Sequence, residues 1–138
     1  NELTHNIISG YSRTIFSRNV FDAKQEKWVA DILDRDSDVV RWVRPPTGQM
    51  PIAYKSGNYN PDFLVETKEG EFYLVEVKAR DEIGNEDVQA KARAAAAWCT
   101  AMSEATDKSW GYKLVPHDSI SLTQSFLGVI SNAVAITE

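Results

Sequence analysis

The sequence predicts an α/β domain: a central mixed sheet flanked by helices. Three observations predict it. Apolar residues recur at helical spacing near residues 22–35 and 86–104. Between and after those stretches lie β-rich runs at Val39–Arg44, Asp62–Thr67, Glu71–Lys78 and Trp110–Leu114. Two of these runs are separated only by Lys68-Glu69-Gly70, which reads as a hairpin turn. The order is α-β-β-β-α-β-α, which asks for helices packed on a sheet.

Residues 1–19 mix apolar and polar types without period and read as a leading helix or as a linker from a preceding domain. Over 22–35, Asp22 with Gln25 resembles a capping box, and Trp28, Val29, Ile32 and Leu33 make one apolar face. Glu26 falls about a quarter-turn from the centre of that face, at the border of core and solvent. Val39–Arg44 alternates and is stopped by Pro45-Pro46. Gly48–Asn60 reads as loop, with room for a short strand at Ile52–Tyr54. In the second helix Val88, Ala92, Ala95, Cys99 and Met102 keep one stripe. Four consecutive alanines at 94–97 would let that helix lie close on a sheet. Cys99 belongs to this packing. An apolar-periodic segment from about Ser119 to Ala135 predicts a C-terminal helical segment within 116–138.

At 138 residues, with no repeat and no internal linker, the chain reads as a single domain with its core at about 20–115. Its 43% hydrophobic and 25% charged residues are ordinary for a globular fold. A domain this long buries roughly two-thirds of the surface its unfolded chain exposes and needs no staple. One cysteine makes no internal disulfide, and with two histidines it cannot furnish a structural zinc site. That composition predicts a reducing, cytoplasmic setting. No apolar run approaches the ~18 residues of a membrane span, and the start lacks a signal-peptide layout. The chain begins at Asn1 rather than Met, as expected of a processed or excised piece. His5 and His117 stand isolated in polar surroundings and call for no role.

The net charge of −5 argues against gripping nucleic acid by bulk charge. The imbalance is local. Residues 56–90 hold Lys68, Lys78 and Arg80 against nine acidic residues, a net of −6, and the rest of the chain sums to +1. Such a patch is either a solvated acidic face or a cation site.

Strand periodicity sharpens the choice. Glu76 and Lys78 are two apart and share a strand face, with Val75 and Val77 on the other. Pro61 suits the start of the partner strand, where Asp62 follows. Closing the hairpin brings Asp62 beside Glu76, about 5 Å away across the ladder. Carboxylates that close repel unless a cation or proton lies between them. Hard oxygen donors without a softer one nearby suit Mg²⁺, which keeps several of its waters. The plain alternative is a cross-strand ion pair on a solvated face. Lys91 reads equally as a lysine paired with Asp87 one turn back or as a phosphate contact. Arg41, Arg44 and Lys55 are the basic side chains expected to flank the site. No Gly-x-x-x-x-Gly-Lys-Ser/Thr run provides an ATP site, and no Gly-x-Ser-x-Gly or Cys/His pair supports acyl transfer.

Asn60-Pro61-Asp62-Phe63 followed by Glu76-Val77-Lys78 resembles the PD-(D/E)xK motif of a large nuclease superfamily. That family's restriction-endonuclease-like αβββαβ core matches the order of elements in this chain. Within it, Phe21-Asp22-Ala23 to Glu26, then Trp28, Ala30 and Leu33-Asp34, is similar to the first motif in the endonuclease domain of type III restriction enzymes. Tyr59-Asn60-Pro61-Asp62-Phe63, Glu76-Val77-Lys78-Ala79-Arg80 and Glu86-Asp87-Val88 through Lys91, Ala95-Ala96 and Trp98-Cys99 continue the likeness over about residues 20–115. The chain departs from the family pattern with Ala23 where serine is frequent and with Glu76-Val77-Lys78-Ala79 where Glu-Thr-Lys-Gly is frequent. Neither change removes a carboxylate or the lysine.

The resemblance implies a Mg²⁺-dependent DNA endonuclease domain, with Mn²⁺ able to substitute. Asp62, Glu76 and the Val77 carbonyl would ligate the metal, and Lys78 would orient or deprotonate the attacking water. Glu26 would steady the metal's water shell and Lys91 would hold a phosphate. The hydrolase would leave 5′-phosphate and 3′-hydroxyl ends. Its partners would be a helicase/ATPase domain and the methyltransferase subunits of a bacterial restriction complex. The rival expectations are a transposon or repair nuclease of the same fold, and a catalytically silent nucleic-acid-binding module.

Overall fold

The computed structural model describes residues 6–9, 11–14, 18–21, 24–55 and 57–137. Four strands form the central sheet, lying side by side as β3 (Val39–Val43), β6 (Phe63–Thr67), β7 (Glu71–Lys78) and β8 (Ser109–Pro116). β3, β6 and β7 pair antiparallel, and β7 and β8 pair parallel, so the sheet is mixed. The parallel pair requires a crossover, supplied by α2 (Glu86–Thr106). Two short antiparallel pairs stand outside this sheet: β1 (Asn6–Ser9) with β2 (Arg18–Phe21), and β4 (Ile52–Tyr54) with β5 (Gly57–Tyr59).

Strand alternation splits the core into two layers. On one face Phe63, Val65, Val75 and Val77 pack with Val29, Ile32 and Leu33 of α1 (Lys24–Arg35) and with Phe126, Val129 and Ile130 of α3 (Phe126–Ser131). On the other, Leu74, Tyr112 and Leu114 pack with Ala92, Ala95 and Cys99 of α2 and with Ile52 and Tyr59 of the β4–β5 hairpin. The small residues of α2 bring its backbone close to the sheet, and Cys99 is buried there as expected. Burying a side chain such as Phe63 or Leu74 completely contributes about 1.5–3 kcal/mol. Gly70, at φ +81°, makes the tight β6–β7 turn that an L side chain would strain.

The structure departs from the sequence expectations at three places. The stretch 48–60 contains a complete hairpin, not one short strand in a loop. The C-terminal segment is helical only over Phe126–Ser131, capped by the Ser125 hydroxyl, which accepts from the Gly128 N–H at 3.0 Å. The chain before it is drawn out by Arg35, which donates to the carbonyls of Leu122 and Gln124. After it, the chain returns to β8 and α2, where the Val134 N–H donates to the Leu114 carbonyl and the Thr137 N–H to Gln89 Oε1. Part of the stretch expected to be a leading helix or linker, 1–19, instead forms strand β1 and the start of β2. Asp22, the expected cap of α1, and His5 lie outside the described residues. Among the described residues, no helix is long and apolar enough to cross a membrane.

Candidate active site

The β6–β7 register places the two carboxylates. Phe63 pairs with Val75, so Asp62, one residue before β6, stands opposite Glu76. Pro61 offers no N–H to a ladder, and the preceding Asn60 is tied down by its side-chain amide, which donates to the Pro45 carbonyl at 2.6 Å. Asp62 Oδ2 accepts from the Val77 N–H at 2.8 Å, and Glu76 Oε1 accepts from the Asp62 N–H at 3.2 Å. Each carboxylate is thus held by the backbone of the other strand.

Glu76 is buried, and Asp62 is half-buried beside it. Burial pushes the carboxyl of Asp62 well above the usual carboxylate range, and the charges of Glu76 and Glu26 push it the same way. Arg44 and the Val77 N–H oppose that rise without cancelling it. Glu76 is also raised, first by burial and then by the charge of Glu26, against the pull of Lys78, Tyr59 and the Asp62 N–H. In both groups the surroundings work against the charged form. A site in that condition lacks positive charge.

Lys78 supplies some of it. Its Nζ lies 3.6 Å from Glu76 Oε2, with 30% of the Lys78 side chain exposed against 11% of Glu76, so the ammonium stands at the open side of the pair. Glu26 reaches the site from the first turn of α1, buried, and forms an ion pair with Arg44 at 2.8 Å. Arg44, expected among the DNA contacts, is turned inward. Its guanidinium lies over the Phe63 ring at 4.9 Å and only 14% of its side chain is exposed.

The other basic candidates have acidic neighbours. Lys55 and Lys91 converge on Asp87, at 2.9 and 3.4 Å, and the Tyr54 hydroxyl donates to the same carboxylate. Those donors hold Asp87 below the usual carboxylate range. Lys91 also stands over the rings of Tyr54 and Tyr59, at 5.7 and 6.0 Å, which places it on the side of the site built by the β4–β5 hairpin. Arg41 pairs with Glu66 at 2.8 Å on strand β3, at the edge of the four-stranded sheet. The structure therefore brings Asp62, Glu76 and Lys78 together, adds Glu26 with Arg44, and sets Lys55, Lys91 and Arg41 in pairs of their own.

Sequence reasoning gave Tyr59 and Tyr112 no role. The Tyr59 hydroxyl donates to Glu76 Oε1 at 2.8 Å and lies 2.9 Å from the Tyr112 hydroxyl, all three side chains being buried. The only signal available was the place of Tyr59 immediately before Asn60-Pro61-Asp62.

The donor set fits a hard divalent cation. Among the described residues no group of three or more carboxylate, histidine or cysteine side chains is placed to cage an ion. Two carboxylates short of positive charge match the lighter protein demand of Mg²⁺, which is commonly bound through one or two carboxylates while water fills its other positions. Asp62 Oδ1 takes no hydrogen bond among the described residues, and Glu76 Oε2 has only Lys78.

Comparison with known proteins gives a family for the chain. No curated protein matches the chain. Residues 36–115, more than half of it, match the family described as TnsA-like endonuclease N terminal, a span that includes Asp62, Glu76, Lys78, Tyr59 and the central sheet short of the last residue of β8, but not α1 with Glu26. On that match and on its mixed sheet flanked by helices, the chain belongs to the TnsA-like N-terminal endonuclease family, nucleases of the PD-(D/E)xK, restriction-endonuclease-like fold.

Proposed function

We propose that this domain hydrolyses phosphodiester bonds of DNA with a divalent cation, Mg²⁺ or in its place Mn²⁺, held by Asp62, Glu76 and the Val77 carbonyl. The observation that carries the reading is the facing pair Asp62 and Glu76, each locked to the other's backbone, with the Lys78 ammonium 3.6 Å from Glu76. Both carboxyls are raised first by burial, Asp62 also by the charges of Glu76 and Glu26, and Glu76 also by that of Glu26. A bound cation would supply charge to stabilise the pentacovalent phosphate and the departing 3′ oxygen. Lys78, at the open side, orients the attacking water and offsets charge on the phosphate. Glu26 and Arg44 brace the site from α1 and the end of β3. Lys91, between Asp87 and the Tyr59 ring, would hold a phosphate.

The basic side chains around this site are engaged in ion pairs, and the chain carries −5 overall. Affinity for duplex rests on lysines and arginines free to replace counterions. The domain therefore binds DNA weakly alone, and sequence recognition and ATP-driven motion belong to companion domains or subunits. Two settings fit. The TnsA-like match favours a transposon-type nuclease. The likeness of residues 21–34 to the first motif of type III restriction endonuclease domains, which lies ahead of the matched span, favours a restriction subunit working with a helicase and a methyltransferase in a bacterial cytoplasm. The genes beside this one separate the two: transposase genes for the first, a methyltransferase gene for the second.

The test of the common core is nicking of supercoiled plasmid by the purified chain at low salt. Nicks are expected with Mg²⁺ or Mn²⁺ and not with Ca²⁺ or EDTA, because Ca²⁺ prefers looser, higher coordination. Cutting at full rate in EDTA overturns the metal reading. Binding of DNA without any cutting, in every cation, returns the silent module.

A further inference from the structure

Glu76 has two carboxylate oxygens, and nothing in its own torsions decides which faces the site, since the terminal torsion of a glutamate is broad and two-fold. The surroundings decide it. Oε1 accepts from the Tyr59 hydroxyl at 2.8 Å and from the Asp62 N–H at 3.2 Å, while Oε2 faces Lys78 at 3.6 Å. The N–H belongs to the strand that carries Asp62 and is present whatever the side chains are. The hydroxyl comes from elsewhere.

Tyr59 sits at the end of β5, outside the four-stranded sheet, on a hairpin that is also held at α2. Ile52 is buried in the α2-side core and Tyr54 donates to Asp87 of α2. The Tyr59 ring packs edge-on against Tyr112 at 6.3 Å, and the two hydroxyls lie 2.9 Å apart, 5% and 9% of the two residues being exposed. Two phenols in a row thus end on one carboxylate oxygen. A hydrogen bond to a charged acceptor in a dry setting is roughly twice as strong as a neutral one, and a second donor behind the first polarises it further.

We propose that Tyr59 is a positioning residue for the cation: its hydroxyl, backed by Tyr112, fixes Glu76 Oε1 and leaves Oε2 as the one Glu76 oxygen turned to the metal and to Lys78. This rests on the metal-dependent function proposed for the site. Partners of this kind, which orient a ligand without touching the metal, commonly cost 10–100-fold in metal affinity when removed.

The experiment is calorimetric titration of Mn²⁺ into the EDTA-stripped, dialysed chain without DNA, comparing wild type with Tyr59→Phe, Tyr112→Phe and Glu76→Gln. Tyr59→Phe keeps the ring in the core and deletes one oxygen. It should weaken Mn²⁺ binding about 10-fold, Tyr112→Phe should weaken it less in the same direction, and Glu76→Gln should weaken it most. Val129→Ala, a core change on the opposite face of the sheet, should lower the unfolding temperature without moving Mn²⁺ affinity. Wild-type affinity in folded Tyr59→Phe, with Glu76→Gln impaired, overturns the role of Tyr59 and leaves the metal-dependent function standing. If Tyr59→Phe fails to fold, Tyr112→Phe decides the same point, because it leaves the Tyr59 hydroxyl in place and removes only its backing: weakened Mn²⁺ binding supports the proposal and wild-type binding overturns it. Equal loss in Val129→Ala and Tyr59→Phe shows a general effect of stability and also overturns the proposal. A wild-type chain that binds no Mn²⁺ overturns both the proposal and the metal-dependent function.

Discussion

Asp34 and Asp62 are both aspartates set into the fold, and their surroundings have opposite effects. Asp34, near the end of α1, accepts from the backbone N–H groups of Ser12 and Arg13, at 3.0 and 2.8 Å, from the Ser12 hydroxyl at 3.2 Å and from Trp42 Nε1 at 3.1 Å. Burial works to raise it, yet those donors together hold it below the usual carboxylate range. Asp62 accepts one backbone N–H, faces two other carboxylates, and is raised. The difference is one of supply. Where the fold provides donors the carboxylate is a stitch, here tying residues 12 and 13 and the buried Trp42 to α1. Where the fold withholds them, the carboxyl is raised instead. Motif reading alone does not tell the two apart, since Leu33-Asp34 and Pro61-Asp62 both fall in stretches that resemble nuclease motifs.

Substitutions break the comparison in opposite ways. The largest expected effect is on cutting. Asp62→Ala and Lys78→Ala should each lower the nicking rate by at least about 100-fold, the usual cost of removing a group that meets transition-state charge. Both variants should keep the wild-type circular dichroism. Normal cutting by either would remove it from the machinery. Next comes a stability effect at the other aspartate. Asp34→Ala strips the acceptor from a buried indole N–H and two backbone amides, and should cost about 2–3 kcal/mol in urea unfolding. Its nicking rate, taken well below the unfolding midpoint, should stay within a few-fold of wild type. A stable Asp34→Ala that no longer cuts would place Asp34 in the site and dissolve the contrast.

The hairpin bearing Asp62 and Glu76 was legible from the sequence because its signals are local: period-two alternation, a proline at the strand start and a glycine where the turn needs positive φ. Helix α2 was legible for a similar reason, its alanine stripe facing the sheet as expected. What escaped depends on partners distant in the chain. Arg44 turns inward because Glu26, on another element, and the Phe63 ring receive it. A strand of three residues is too short to show a period, so β4 reads only as a short strand within a loop and β5, which carries Tyr59, reads as loop. The bond from Tyr59 to Glu76 spans 17 positions and leaves no pattern in either segment.

Whether these carboxylates are kept short of charge is decided by the unfolding temperature of wild type and Asp62→Asn between about pH 5 and 8.5, in EDTA and in Mg²⁺. A carboxyl raised on folding holds its proton longer in the folded state than in the unfolded one. Wild type should therefore lose stability relative to Asp62→Asn as pH rises from the ordinary carboxylate range through the raised values. Asp34, being lowered, contributes stability that is lost only as pH falls below its ordinary value of about 4, so it stays silent across this window. At about pH 8 in EDTA, Asp62→Asn should unfold a few degrees above wild type, the size of a gain of about 0.5–2 kcal/mol. Mg²⁺ should raise wild type by mass action and leave Asp62→Asn nearly unmoved. A difference between the two proteins that is flat with pH and indifferent to Mg²⁺ would contradict the claim that this pair of carboxylates is kept short of charge for a cation.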